Sequence, residues 1–221
     1  MDFTFNEEQT LIQGQVEQFI QKEYDWETRQ KLSNSDLGFG EKNWKTFAEL
    51  GWLGISVSED NGGFGGSAIE TMLIMEEFGK GLVVEPFLET VVMSLGLLDR
   101  YGSDQQISDV MSEVINGKIH LALAYAEPQS RFNLSDVVTE AKKEGDNFII
   151  NGFKSVVMNG PVANKIIISA RTSGKQMDKK GVSLFLVDSN TAGLTKTDYK
   201  TVDGRRASDI NLENVTISND S

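Results

Sequence analysis

Few side chains in this sequence could do chemistry unaided. There is no Cys and a single His, His120, which excludes thiolate nucleophiles, disulfides, and thiolate or multi-histidine metal sites. His120 stands at the head of an apolar run and is expected to be structural. Gly62-Gly63-Phe64-Gly65-Gly66-Ser67 leads into a helical stretch, a place where phosphates are often held. A phosphate loop needs Gly-Lys-Ser/Thr at its end, however, and Phe-Gly-Gly-Ser brings no lysine. The better expectation is a tight interhelical turn that uses glycine's access to positive φ. Arg205 and Arg206, adjacent in a polar segment from Asp203 to Asp209, could bind a carboxylate or phosphate, or could sit in a solvated turn.

The segment Leu121-Ala122-Leu123-Ala124-Tyr125-Ala126-Glu127-Pro128 says more. A strand of small apolar residues breaks at Glu-Pro, and small side chains at a strand end expose backbone N–H and C=O groups. Such an edge suits a flat, polar heterocycle.

The elements that must position these groups change character near residue 118. Before it, apolar residues recur at helical spacing. Asn6 with Gln9 opens a helix carrying Leu11, Val16 and Phe19. A second carries Trp44 and Phe47 and stops at Gly51. A third runs from Ser67 through Leu73 to Gly79. Pro86 opens a fourth with Val91, Leu95 and Leu98, and Ser103 opens a fifth that reaches Asn116-Gly117. After residue 118 the apolar runs are short: 120–126, 137–141, 148–150, 166–170, 182–187 and 210–215, with turn formers between them. The expected class is α+β, with an N-terminal all-α helical bundle over 1–118 followed by an antiparallel β-barrel or sandwich over 119–221.

The formal net charge is −12. It is unevenly shared, since residues 1–118 hold 21 acidic against 8 basic residues while 119–221 hold 12 against 13. An acidic chain is a poor electrostatic match for nucleic acid or an anionic membrane. The start, MDFTFNEEQT, lacks the basic and apolar regions of a secretory signal, and no apolar run approaches the ~18 residues of a membrane span. A soluble cytoplasmic protein is expected.

In order along the chain stand Phe5-Asn6-Glu7-Glu8-Gln9, Leu50-Gly51-Trp52-Leu53-Gly54, Glu59-Asp60-Asn61-Gly62-Gly63-Phe64-Gly65, Ala126-Glu127-Pro128, Ser135-Asp136, Ile150-Asn151-Gly152-Phe153-Lys154, Asn159-Gly160 and Asp209-Ile210-Asn211-Leu212-Glu213-Asn214-Val215. In that order and spacing the sequence resembles the acyl-CoA dehydrogenase family along its whole length. The resemblance implies FAD as cofactor and an acyl-CoA thioester oxidised to the enoyl-CoA. It also implies an electron-transfer flavoprotein as electron acceptor and a homo- or hetero-oligomeric assembly.

By position, the resemblance assigns flavin contacts to Leu123, Tyr125 and Ala126, and to Val156, Val157 and Met158. Ser135 would contact the FAD phosphate and lie near the CoA, with Ser130 able to take over. The sequence departs from the family pattern at several of these positions. Ala126 and Met158 replace hydroxyl-bearing threonines, and Val156 replaces the tryptophan that covers the flavin ring. A lost aromatic stack is worth ~0.5–1.5 kcal/mol beyond its buried area. Six residues separate Pro128 from Ser135, where the family usually has three. The family's C-terminal helical domain, which usually carries the catalytic glutamate, has no counterpart before Ser221. The expectation is therefore a truncated chain, inactive alone, with no catalytic base and no metal ligand among its residues. The runner-up readings are a non-catalytic subunit completing a partner's site, and an acyl-CoA oxidase or flavin-dependent hydroxylase relative.

Overall fold

The computed structural model describes residues 4–221. Met1–Phe3, which the reading of the chain's start as free of a secretory leader also covers, lie outside the described residues. The chain divides into two compact units, Met1–Lys118 and Ile119–Ser221.

The first unit is helical: α1 (Glu7–Glu23), α2 (Trp26–Asn34), α3 (Glu41–Glu49), α4 (Ala68–Gly81), α5 (Gly96–Tyr101) and α6 (Asp104–Ile115). At the N-termini of α1, α2, α4 and α6 a side chain takes up otherwise orphaned backbone donors. Asn6 and Gln9, Ser67 and Glu70, and Ser103 and Gln106 each form a reciprocal capping box. The segment α2 has no marked apolar stripe, which is why its periodicity gives no helix signal. Its start is set by Asp25, whose side chain accepts from Thr28 N–H. Phe19, Phe47, Trp52, Phe78 and Phe87 are buried together, with Phe47 and Phe78 stacked at 4.9 Å. The glycine loop is a turn: Gly62 and Gly65 take positive φ, while Gly65 and Gly66 N–H bond back to Val57 and Ile55.

The expected fourth helix exists, but Leu88–Leu95 is wound as a π-helix that runs directly into α5. Ser94 is fully buried and donates its hydroxyl to the Glu89 carbonyl at 2.7 Å. That is a five-residue offset, the same as the π-turn itself.

The second unit is one sheet of β1 (Leu121–Ala124), β2 (Glu140–Glu144), β3 (Asn147–Met158), β4 (Lys165–Arg171), β5 (Val182–Asp188), β6 (Leu194–Lys200) and β7 (Arg206–Ser218). Its order is β1-β4-β2-β3-β7-β6, with β5 also on β4. The β-domain is present, but it is not uniformly antiparallel. The β1–β4 ladder is parallel from Leu121↔Lys165 to Ala124↔Ile168, and Glu140↔Arg171 joins β2 to β4 in parallel. Only strands joined by tight turns are forced antiparallel, and along the chain the whole β2–β3 hairpin intervenes between β1 and its neighbour β4. The strand β6, LTKTDYK, is polar at most positions and gave no apolar run. The core holds Ala122, Ala124, Ile150, Ile166, Phe185, Ile210 and their neighbours.

Candidate functional site

Beyond Ala124 the first strand leaves its parallel partner, and Tyr125 and Ala126 follow outside regular secondary structure. Ser155 N–H donates to the Ala126 carbonyl at 2.9 Å. Among the described residues, no hydrogen bond within the chain engages the Tyr125 or Ala126 amide. Tyr125 is exposed and Ala126 half-buried. Two backbone donors thus stand just past a strand end, beside the small side chains of Ala124 and Ala126.

What fixes this edge is a buried ion pair that sequence reasoning missed. Glu127 and Lys154 side chains are both 0% exposed, with Lys154 Nζ 2.7 Å from Glu127 Oε1. Lys154 also donates to Ser169 Oγ at 3.0 Å. Glu127 accepts further from Gln129 Nε2 (2.8 Å), Val138 N–H (2.9 Å) and Thr139 N–H (3.2 Å). Burial opposes charge on both partners. For Glu127 the donors, Lys154 foremost, outweigh burial and hold its carboxyl below the usual range. For Lys154 burial prevails over the attraction of Glu127, and its ammonium loses its proton more readily than a free lysine.

Immediately after Lys154 the β3–β7 ladder slips. Lys154 pairs Ile210 and Val157 pairs Ser208, so Ser155 and Val156 together oppose Asp209. This is a β-bulge, a device that re-aims a side chain. Val156 sits there at φ 53°, where a β-branched residue is a genuine outlier. Its side chain is pushed outward, and Val156 is 53% exposed. Asp209 Oδ1 accepts from Val156 N–H at 3.0 Å and from Tyr199 OH at 3.0 Å.

The expected site residues divide between two places. Tyr125, Ala126 and the Val156–Met158 stretch are joined through the Ser155–Ala126 bond. Leu123 and Met158 are half-buried, and the Val157 side chain is buried in the sheet core. Ser130 is buried. Its hydroxyl donates to Glu127 O (2.9 Å) and accepts from Glu127 N–H (3.0 Å), closing the turn that ends the strand. Ser135 is half-buried and is tied elsewhere. Its carbonyl takes Arg171 Nη2 at 2.8 Å. Arg171 also donates to the carbonyls of Val137, Ser173, Gln176, Asp178 and Lys180, so one guanidinium fastens the 133–137 and 173–180 loops. Arg205 pairs with Asp203 at 2.9 Å. His120 is neutral, its pKa pushed down to about 4 by burial. Among the described residues, no cluster of His, Asp and Glu has the makings of a metal site, and no helix is long and apolar enough to cross a membrane.

Residues 6–118 match the family model for the N-terminal domain of acyl-CoA dehydrogenases, and residues 122–215 match that for the middle domain. The long-chain specific mitochondrial acyl-CoA dehydrogenase of Sus scrofa is 29% identical over 199 residues, covering 87% of this chain and 45% of that protein. The 3-(aryl)acrylate reductase of Clostridium sporogenes is 30% identical over 220 residues, covering 96% and 57%. Among solved structures, the FAD complex of PigA superimposes with a TM-score of 0.89 at 25% identity, covering 100% of this chain and 58% of that one. The ChsE4-ChsE5 complex of Mycobacterium tuberculosis gives 0.88 at 23%, covering 100% and 57%.

A helical unit followed by a curled mixed sheet is the acyl-CoA dehydrogenase fold. The chain belongs to the acyl-CoA dehydrogenase family. It spans about half the length of the curated relatives it matches.

Proposed function

We propose that these two units form the flavin-seating half of an FAD-dependent oxidoreductase acting on an acyl-CoA thioester, in the soluble phase of the cytoplasm. The observation that carries this reading is the edge from Tyr125 to Glu127. Two free amides there adjoin a strained, outward-turned bulge, and both are fixed from beneath by the buried Lys154–Glu127 pair. Free N–H donors on rigid backbone suit the acceptor atoms of an isoalloxazine ring, so the chain fits the cofactor at the level of its main chain. Its side chains contribute less. Ala126 and Met158 offer no hydroxyl, and Val156 offers an aliphatic cover in place of an aromatic one.

Tyr125 and Ala126 would hold the ring's polar edge, Val156 would cover it, and Ser135 would lie toward the phosphates. FAD, when bound, supplies the two-electron acceptor for α,β-dehydrogenation. The chain's own part is to place the ring and keep water from its covered side. We assign no residue here as the base that removes the α-proton. An electron-transfer flavoprotein is the proposed electron acceptor, and a relative of this chain, CarC of Acetobacterium woodii, is a subunit of a caffeyl-CoA reductase-Etf complex.

A second reading is a site-contributing subunit in a complex of two different chains. The missing hydroxyls at Ala126 and Met158 favour it, because a partner could supply those donors.

Titration of the chain with FAD, followed by flavin fluorescence and absorbance, tests the seat. Saturable binding with a perturbed flavin spectrum is expected. A protein indifferent to micromolar FAD, alone and in its native assembly, overturns the reading.

A further inference from the structure

We infer that Asp209, braced by Tyr199, is the positioning residue that holds the Ser155–Val156 bulge in its strained form and so sets the surface against which the flavin ring lies; the flavin half of this inference rests on the function proposed above.

A left-handed valine does not persist by preference, since its Cβ crowds the following carbonyl. Such a conformation survives only where its surroundings over-determine it. The hydrogen bonds on either side of Val156 are informative. Ser155 N–H is taken by Ala126 O, and Lys154 is locked in the core. Both bonds precede Val156 and would permit a regular strand after them. Val156 N–H itself donates to Asp209 Oδ1, with the Tyr199 hydroxyl also set against that amide. Asp209 is the single β7 residue facing the two bulged residues of β3. On the neighbouring strand Asp209 pairs Thr197, and Tyr199 lies on the same face two residues along, which brings its hydroxyl onto the same carboxylate oxygen. The anchor is thus built from β6 and β7, independently of the Lys154–Glu127 pair. Asp209 touches no ring itself; it acts through the Val156 backbone.

The test is a mutant cycle on the full chain with two readouts. The first is the Val156 amide, followed by its NMR shift and hydrogen exchange, which needs no flavin. The second is FAD affinity by fluorescence titration. Asp209→Ala is expected to speed exchange at Val156 and weaken FAD about tenfold, the usual scale for one hydrogen bond to a charged group. Asp209→Asn keeps an acceptor oxygen and should restore both readouts, whereas Tyr199→Phe should show the Asp209→Ala effects in weaker form. With Val156→Gly the left-handed turn needs no anchor, so Asp209→Ala should then cost little affinity. An equal loss in the glycine background, or an unchanged Val156 amide in Asp209→Ala, overturns the anchor. Should Asp209→Ala fold poorly, Tyr199→Phe in the two backgrounds decides the same question. If wild type binds no FAD while Asp209→Ala still frees Val156, the proposed function falls and the anchor stands.

Discussion

Each unit of this protein buries a carboxylate inside a network of donors, and Glu127 and Glu85 are handled in opposite ways. Glu127 in the sheet unit faces a buried lysine. Glu85 in the helical unit faces only neutral donors: Tyr24 OH at 2.9 Å, Asn43 Nδ2 at 2.8 Å and Gly40 N–H at 3.2 Å. Burial therefore dominates at Glu85 and raises its pKa, with Asn43 and Tyr24 pulling the other way. At Glu127 the donors prevail and the pKa falls. The difference shows what each acid is for. The Glu85 network ties Asn43 of α3 and Tyr24 to the bend at Pro86 and does not require a charge. The Glu127 network ends a strand at the proposed seat and is built around one.

The comparison breaks most visibly at Lys154. Lys154→Met leaves Glu127 buried without its cation, a loss of about 3–5 kcal/mol, read as a fall in the urea midpoint. Adding Glu127→Gln to it should recover most of that loss, because a neutral buried pair of similar volume is well tolerated. Glu85→Gln, by contrast, should shift stability by no more than about 1 kcal/mol at neutral pH, since the neutral donors remain and only the desolvation of a charge is removed.

The pH dependence sharpens the contrast, because the signs differ. Both groups start from the ordinary glutamate value of 4.5. The Glu127 pKa is depressed in the folded state, so its stabilisation is complete above 4.5 and is lost as pH falls through the folded value. The Glu85 pKa is raised, so its contribution is greatest below 4.5 and declines as pH rises toward the folded value. Unfolding measured from about pH 2 to 8 should therefore give a wild-type minus variant difference that rises with pH below 4.5 and then levels off for Glu127→Gln, and one that falls as pH rises above 4.5 for Glu85→Gln. Parallel curves would show that the two environments are equivalent after all.

The smallest effect concerns a second pair. The β3–β7 ladder has another bulge between Ile150 and Gly152, where Asn214 takes φ 51° and its N–H donates to Asn151 Oδ1 at 2.8 Å. The device is the one used at Val156, but Asn tolerates this conformation and Val does not. Val156→Gly should raise stability by about 1 kcal/mol, the relief of strain less glycine's entropy. Asn214→Gly should change it by only a few tenths of that, with thermal unfolding as the check.

Much of this was legible in the residue order. The capping boxes at Asn6, Ser67 and Ser103 announced their helices, and the switch of period near 118 announced the change of class. The strand that breaks at Glu127-Pro128 pointed to the edge. What was hidden depends on pairing across the chain. Neither α2 nor β6 has an apolar stripe, so periodicity passes over both. The parallel β1–β4 ladder follows from where the β2–β3 hairpin folds, which no local pattern encodes. Lys154 and Glu127 lie 27 residues apart, each an ordinary charged residue until the sheet buries them together. In sequence Ser135 is the expected phosphate contact and Ser130 its possible replacement, yet the Ser130 hydroxyl closes a turn and the Ser135 carbonyl is held by Arg171.

Arg171 carries one more consequence. A guanidinium presents its N–H donors in a rigid planar fork, and all its partners here are main-chain carbonyls, which do not titrate. The loops it gathers are thus held by a fastening that acid cannot loosen, even where Glu127 begins to let go. A lysine in its place would bring the charge but not the fork, and could not reach so many oxygens at once.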